Sequence, residues 1–199
     1  MEIDLRTIPV HWATIEKNVD RHEKMQLMFE LLKFTNTHQI NGPLADPYTA
    51  GIAATHIDGI SNDLPLLMME DDAQETIHFK PILDVPDDCD ALYLGTSWFG
   101  MVRGASQYQG CISSSYSEHY VKPYNMLGIH SVLYLSQKYR DHVVNLLTEF
   151  KDNPGSAGCD ECIATHMKNY NVLAVKNPYF YQNDGHSNEE TLRPLNPYF

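Results

Sequence analysis

Four consecutive apolar residues at positions 66–69, LLMM, run directly into three carboxylates, Glu70, Asp71 and Asp72. A short apolar run bounded by turn residues is typical of a buried strand, and Asp63-Leu64-Pro65 provides the turn before this one. Neighbouring carboxylates repel one another and lose hydration close to a core, and a divalent cation relieves both costs. The pattern therefore predicts a buried strand whose carboxyl end carries either a cation site or a solvated acidic turn.

Further apolar runs alternate with segments of helical periodicity along all 199 residues. We predict helices over about 19–32, 49–59, 136–150 and 160–170, and strands over about 8–15, 34–40, 66–69, 91–94, 128–135 and 172–175. Strands that alternate with helices indicate an α/β domain, and this length suits a single one. Residues 96–125 are rich in Gly, Ser and Tyr and predict a long functional loop or an irregular hairpin. The polar and aromatic tail from Asn177 is a candidate to close over a site.

The formal net charge of the chain is −12, and its 14 Lys and Arg residues are scattered. A general nucleic-acid binder usually presents a basic face, so DNA is a disfavoured partner. No apolar run approaches the roughly 20 residues needed to span a bilayer, and the acidic start of the chain lacks the apolar stretch of a signal peptide. We therefore expect a protein without an integral membrane segment that is located in the cytoplasm.

Cys159 and Cys162 have the C-x-x-C spacing that zinc and redox sites use. A zinc site needs about four ligands, and the two other cysteines, Cys89 and Cys111, form no second pair of this kind. Without a secretory signal, all four thiols are expected to be reduced. We favour two thiols on one helix over a metal or redox centre.

Several short motifs follow one another in a distinctive order. Residues 14–21 read TIEKNVDR, Phe34 and Asn41-Gly42 come next, residues 51–56 read GIAATH, and residues 69–72 and 90–95 read MEDD and DALYLG. Asp160 precedes a predicted helix, and residues 178–187 read PYFYQNDGHS. In order and spacing, these segments resemble the N-L-D-R-x-x-E-R, G-x-x-x-S-H, L-E-D-D, D-x-x-Y-L-G and P-x-x-x-Q motifs of the family 25 glycosyltransferases. That family includes bacterial lipooligosaccharide galactosyltransferases and the collagen galactosyltransferases.

The resemblance implies a GT-A-like, Rossmann-like fold of a single domain over residues 1–199. It places a nucleotide-sugar-binding part at 1–95 and an acceptor and catalytic part with a closing tail at 96–199. It also implies a nucleotide-sugar donor, usually a uridine diphosphate (UDP) sugar, and Mn²⁺ as cofactor, with Mg²⁺ as the alternative. The expected reaction is transfer of a hexose with inversion at the anomeric carbon, which needs a base to accept the proton of the acceptor hydroxyl.

Candidate site residues follow from the acid cluster and from the resemblance. Asp72 is the expected first metal ligand and Glu70 the second, and His186 in the polar tail is a further candidate. Asp160 is the expected catalytic base, with Glu161 as its rival, and a helix N-cap is the alternative role of Asp160. The expected donor-binding residues are Thr14, Glu16, Arg21, Thr55, His56, Asp71 and Gln182.

Four functions remain open at this point. The first is transfer of a hexose to a surface glycan such as lipopolysaccharide, and the second is the same chemistry on a hydroxymethylated base in DNA, which the acidic net charge disfavours. The third is a catalytically dead nucleotide-sugar-binding module, which the intact Glu70, Asp72 and Asp160 disfavour. The fourth is a metal-dependent hydrolase, disfavoured because an H-E-x-x-H motif is absent. The oligomeric state is left open.

Overall fold

In a computed structural model, the apolar run at 66–69 lies in a buried strand that has a hydrogen-bonded neighbour on each edge. The structure describes residues 1–60, 63–104, 107–154, 158–183 and 191–195. The strands in these ranges are β1 (Glu2–Asp4), β2 (Val10–Thr14), β3 (Thr37–Asn41), β4 (Leu66–Glu70), β5 (Ala73–Glu75), β6 (Ile82–Asp84), β7 (Ala91–Tyr93), β8 (Phe99–Gly100), β9 (Gln109–Gly110), β10 (Ser113–Ser115), β11 (Tyr120–Pro123), β12 (Ser131–Tyr134), β13 (Val172–Val175) and β14 (Phe180–Gln182). The helices are α1 (Val19–Leu32), α2 (Tyr48–Gly59), α3 (Gln137–Asp152), α4 (Cys159–Ala164) and a short 3₁₀ helix (Met167–Asn169).

Eight of these strands form one sheet in the spatial order β10-β11-β13-β7-β12-β4-β2-β3. The strands β3, β2 and β4 are parallel, and β12 pairs antiparallel with both β4 and β7. β7 and β13 are parallel, whereas β11 is antiparallel to both β13 and β10. The chain is thus a single mixed α/β domain, which confirms the predicted class, and strands from both halves of the sequence interleave in its sheet.

The connections of β2 determine where this sheet can bind a ligand. From β2 the chain passes through α1 to β3 on one side, and from β3 it returns through α2 to β4 on the other side. The two helices cover opposite faces of the sheet, because Phe29 of α1 packs in one core and Ala53 of α2 packs in the other. In open α/β sheets, ligands bind beyond the carboxyl ends of the strands at such a reversal. Thr14 and Glu70, the last residues of β2 and β4, mark this position.

Alternate side chains of the central strands fill the two cores, because successive residues of a strand point to opposite faces. Trp12 and Leu67 belong to the core under α1, whereas Ala13 and Met68 belong to the core that α2 and α3 cover. Burying a Leu or Met side chain stabilises a fold by about 1.5–3 kcal/mol relative to leaving it exposed. The strands that end in Thr14 and Glu70 are therefore held in place by apolar packing on both faces of the sheet.

The predicted helices agree with the observed ones along most of the chain. α1 and α2 lie within one residue of the predicted ranges, and α3 begins after Ser136, whose Oγ accepts a hydrogen bond from the backbone N–H of Tyr139 over 3.3 Å. The helix predicted over 160–170 is wrong in extent, because α4 ends at Ala164 and a separate 3₁₀ helix follows. The predicted irregular hairpin at 96–125 contains two short hairpins, β8–β9 and β10–β11.

The C-terminal segment returns to the acid cluster through a pair of strands that the sequence does not predict. β14 pairs antiparallel with β5, which begins directly after Asp72. The backbone N–H of Asn183 also donates a hydrogen bond to the carbonyl oxygen of Asp72 over 2.8 Å. This pairing places Gln182 beside the carboxyl end of β4. None of the helices in the described ranges has the length and apolar character needed to cross a membrane.

Candidate active site

A cleft of about 630 Å³ opens at the carboxyl ends of β2 and β4. The three consecutive carboxylates, Glu70, Asp71 and Asp72, line it, and so does Asp160 from the first turn of α4. Its other walls come from the loop between β2 and α1, from α2, and from Gly128 and Tyr108. The fold therefore brings the predicted metal-binding acids and the predicted base into the same cleft.

Asp71 accepts hydrogen bonds from three side chains of the segment at residues 14–21. The donors are Thr14 Oγ1 at 2.5 Å, Asn18 Nδ2 at 2.9 Å and Arg21 Nη1 at 2.7 Å. The carboxylate is only 8% exposed, so its charge is balanced by the guanidinium rather than by water. The charge of Asp71 is thus already paired with the Arg21 guanidinium, which suits a residue that shapes the donor side of the cleft better than a metal ligand.

Glu70 is held between α2 and the C-terminal segment. His56 Nε2 lies 3.1 Å from one carboxylate oxygen, and Gln182 Nε2 donates to the other over 3.2 Å. His56 is 1% exposed, so Glu70 provides a polar partner that its buried ring requires. These contacts fix the orientation of Glu70 and link three elements that are distant in sequence.

The donor set of the cleft fits a cation that takes most of its ligands from a substrate. The described residues contain no group of three or more His, Cys, Asp or Glu side chains that could hold a metal by themselves. Mg²⁺ usually needs only one or two protein carboxylates together with phosphate oxygens and water, and Mn²⁺ prefers the same kinds of ligand. Asp72 and Glu70 line the cleft next to each other and can provide that number. His186, the third predicted ligand, lies outside the described residues.

Asp160 faces the cleft close to the other acids. Its Oδ2 accepts a hydrogen bond from the backbone N–H of Gly128 over 2.9 Å. Burial raises the pKa of Asp160 above its ordinary value, the Gly128 N–H opposes that rise, and the negative charges of Glu70 and Glu161 add to it. A carboxylate with a raised pKa accepts a proton more readily than an ordinary one, which is the property that a general base needs.

Glu161 has a different role, although it is adjacent to Asp160. Its Oε1 accepts a hydrogen bond from the backbone N–H of Gly158 over 3.0 Å, and it is 9% exposed. Gly158 is the N-cap residue of α4, and Glu161 caps the helix by accepting from the Gly158 N–H. Asp160 is therefore not the N-cap, contrary to the alternative role predicted for it. The Tyr108 side chain lies near Glu161, and burial and this acidic neighbour raise the pKa of Tyr108.

Of the other predicted donor-binding residues, some line the cleft and one does not. Thr55 lines the cleft, but its Oγ1 donates to the carbonyl oxygen of Gly51 in the preceding turn of α2 over 2.7 Å. Glu16 is exposed and is not among the described residues that line the cleft. Thr14 at the end of β2 is 5% exposed, so the chain turns outward between these two residues.

Several residues of the cleft are not predicted from the sequence. Asn18 lies inside the quoted motif at 14–21, and its position directly before α1 was the available signal for a side chain that donates into the site. Gly128 adopts a left-handed conformation with φ of 88° and donates its N–H to Asp160. Tyr108 belongs to the aperiodic segment at 96–125, where no pattern distinguishes one tyrosine from the next.

None of the four cysteines forms a disulfide, and Cys159 lines the cleft. Cys162 donates from Sγ to the carbonyl oxygen of Cys159 over 2.8 Å, as neighbouring turns of one helix allow. Burial raises the pKa of Cys162 to about 12 and also raises that of Cys159. Both thiols therefore stay protonated at neutral pH, which is unfavourable for metal binding and for redox exchange.

Comparisons with known proteins add a limited amount. A scan against protein-family models gives no match, and a search of curated proteins gives none either. Among solved structures, the chain is similar to the CTP:phosphocholine cytidylyltransferase of Streptococcus pneumoniae, with a TM-score of 0.39 and 10% sequence identity. The alignment covers 89% of this chain and 93% of that one. Because the TM-score is low, we draw no functional conclusion from this likeness.

Proposed function

We propose that the protein is a glycosyltransferase that moves a hexose from a UDP-sugar to an acceptor hydroxyl with inversion at the anomeric carbon. The observation that supports this most directly is the cleft itself, in which Glu70, Asp71 and Asp72 at the end of β4 share one volume with Asp160 of α4. An acid cluster for a cation-bound diphosphate and a separate base are the two requirements of such a transfer. The motifs that resemble family 25 glycosyltransferases include the same residues.

The donor side of the cleft is formed by the residues around Asp71. Arg21 lines the cleft and offsets negative charge on the diphosphate, while Asp71 fixes its guanidinium. Asp72 and Glu70 would hold a divalent cation, which would supply further positive charge to the leaving diphosphate. Glu70 keeps its orientation because His56 and Gln182 hold both of its oxygens.

The base side of the cleft is formed by Asp160. Its carboxylate takes the proton of the acceptor hydroxyl while the acceptor oxygen bonds to the anomeric carbon and the bond from that carbon to the diphosphate oxygen breaks. UDP leaves with its electron pair, and the protonated Asp160 later releases its proton to solvent. The N–H of Gly128 holds the carboxylate at the cleft wall throughout.

A thermal-shift screen of UDP-hexoses with and without Mn²⁺ tests this proposal. A ligand that binds only the native state raises the melting temperature as its concentration exceeds Kd. We expect a shift with at least one UDP-hexose that is larger with Mn²⁺ and is reduced by excess chelator. No shift with any nucleotide sugar under either condition would remove the donor site from the proposal.

A further inference from the structure

Three large apolar or aromatic side chains stand exposed at one side of the cleft. Leu44 is 76% exposed, Tyr48 at the start of α2 is 73% exposed, and Tyr108 is 59% exposed, and all three line the cleft. Scattered exposed apolar residues need no explanation, but several at one cleft mouth mark a binding surface. We define Leu44, Tyr48 and Tyr108 as the aromatic rim.

The two tyrosines of the aromatic rim lie on the base side of the cleft. The Tyr108 side chain lies near Glu161, the neighbour of Asp160, and Tyr48 is close enough to affect the pKa of Tyr108. The ring of Phe99 lies 6.5 Å from that of Tyr108, which gives Tyr108 an aromatic neighbour within the β8–β9 hairpin. In contrast, the diphosphate side is formed by Thr14, Asn18 and Arg21 around Asp71.

Charge decides which class of ligand this side accepts. Among the described residues that line the cleft, the carboxylates are Glu70, Asp71, Asp72 and Asp160, and the Lys and Arg side chains are Lys17 and Arg21. Arg21 is committed to Asp71 on the diphosphate side. A phosphate group next to Asp160 would therefore meet like charges in a partly desolvated site, which is unfavourable.

We propose that the aromatic rim is the acceptor subsite and that it binds an uncharged sugar ring, with one apolar C–H face on Tyr48 and Tyr108. The hydroxyl groups of a neutral sugar can donate hydrogen bonds to the carboxylates on this side, whereas a phosphorylated sugar or a DNA strand would be repelled. This inference rests on the proposed glycosyltransferase function and adds the class of acceptor. It commits to a neutral glycan and against a nucleic-acid acceptor.

Saturation-transfer NMR with small probes tests the subsite separately from the donor site. The probes are methyl galactoside and methyl glucoside, the phosphate monoesters of the same sugars, and an oligodeoxynucleotide that carries hydroxymethylcytosine. Each is measured against the full chain with and without UDP and Mn²⁺. We expect transfer to the ring C–H protons of at least one neutral glycoside, and a weaker signal from the charged probes.

Three variants assign the signal to the rim. Tyr48→Ala and Tyr108→Ala should each weaken binding of the neutral glycoside about tenfold, because each removes one aromatic surface. Tyr108→Phe should keep most of the binding, since it retains the ring and loses only the contact with Glu161. Tyr116→Ala removes a tyrosine that is 42% exposed outside this cleft and should change nothing.

The outcomes separate the two proposals. Absence of a neutral-glycoside signal, an equal signal in the Tyr48 and Tyr108 variants, or a preference for the oligodeoxynucleotide would each overturn the acceptor subsite. Calorimetric titration of the same variants with UDP and Mn²⁺ reports on the donor site. If the alanine variants weaken UDP binding and leave the glycoside signal intact, the rim stacks on the donor and the acceptor assignment is wrong.

Discussion

Arg21 Nη1 donates to Asp71 Oδ1 over 2.7 Å and so ties the first turn of α1 to the acid cluster after β4. Asp71 is buried, while the Arg21 side chain remains 38% exposed and lines the cleft. The pair thus balances a buried charge and keeps a guanidinium available at the cleft wall. The stability of the fold and the proposed donor binding therefore depend on the same contact between Arg21 and Asp71.

Replacing Arg21 by alanine should therefore affect both stability and nucleotide affinity. The loss of a hydrogen bond to a charged group in a partly exposed pair is expected to lower the free energy of unfolding by about 1–3 kcal/mol. UDP affinity is expected to fall about tenfold, because one charge-assisted contact is removed. Urea denaturation and calorimetry measure the two effects.

Arg6 provides the matched control for this substitution. It pairs with Asp4 at 2.6 Å, and its side chain is exposed to a similar degree, 34% against 38% for Arg21, but Asp4 is 29% exposed whereas Asp71 is 8% exposed. Arg6→Ala is expected to cost only about 0–1 kcal/mol and to leave UDP affinity unchanged. Equal losses of stability and affinity in the two variants would show that the Asp71 contact has no special role.

Asp71 and Asp72 are neighbours with different expected roles, so their asparagine variants form a second test. Asp72→Asn should abolish the gain in UDP affinity that Mn²⁺ provides, because an amide is a poorer ligand for this cation than a carboxylate. Asp71→Asn should keep the Mn²⁺ effect and lose stability, because Arg21 then lacks its carboxylate partner. Calorimetry with Mn²⁺ and with excess chelator distinguishes the two, and the opposite pattern would exchange their assignments.

The part of the site that the sequence predicts is the part encoded by local patterns. The apolar run that ends in Glu70 predicts a strand with acids at its carboxyl end, and the apolar face of α1 predicts that helix almost to its observed bounds. The contact between Gln182 and Glu70 depends on pairing of β14 with β5, two strands of three residues each. Strands this short and this far apart along the chain leave no periodic signal.

The position of Glu16 outside the lining of the cleft has a comparable cause. Its nearness in sequence to Thr14 and its match to a motif suggested a donor-binding role, but it lies beyond the end of β2, where the chain leaves the sheet. The direction that the chain takes after a strand ends is set by the loop and by the helix that follows, and not by the apolar pattern of the strand. Likewise, Gly128 reaches Asp160 through a left-handed backbone conformation that is not evident from its neighbours.

Gly128 and Gly104 allow the contact with Asp160 to be tested separately from backbone strain. Both have positive φ angles, 88° and 82°, so alanine at either position should cost about 1–2 kcal/mol. A Cβ at Gly128 would also lie 3.3 Å from Nδ1 of the buried His130, whereas a Cβ at Gly104 meets no atom within 4 Å. Thermal denaturation and a UDP-hexose transfer assay compare the two variants.

We expect Gly128→Ala to be the less stable variant and to lose transfer activity, because a shift of its backbone moves the N–H that holds Asp160. Gly104→Ala should lose stability only because alanine is strained at a positive φ, and the protein that remains folded should keep its transfer activity. If both variants retain full activity, the hydrogen bond from Gly128 does not position Asp160 for the reaction.

Asp160 makes the pH dependence of transfer predictable. A base acts in its deprotonated form, so a raised pKa moves the acid limb of kcat/KM to a pH above the ordinary aspartate value of about 3.9. Asp160→Asn should remove that limb and lower the rate by about 10²–10⁴-fold. Glu161→Gln is the control, since it alters the start of α4 and leaves Asp160 in place. A variant of Asp160 that keeps more than about a tenth of the rate would exclude it as the base.

The stability of Asp160→Asn supplies an independent check with a definite sign. Because the pKa is higher in the folded state than in the unfolded chain, the folded state binds more protons between the two values, and stability falls as pH rises through that interval. At neutral pH the wild type therefore carries the cost of ionising a partly desolvated carboxylate, which asparagine removes while its amide oxygen can still accept from Gly128. We expect Asp160→Asn to be at least as stable as the wild type at neutral pH and to lose any advantage at pH below about 3.9. A loss of stability at neutral pH would instead indicate that the ionised carboxylate of Asp160 stabilises the folded state.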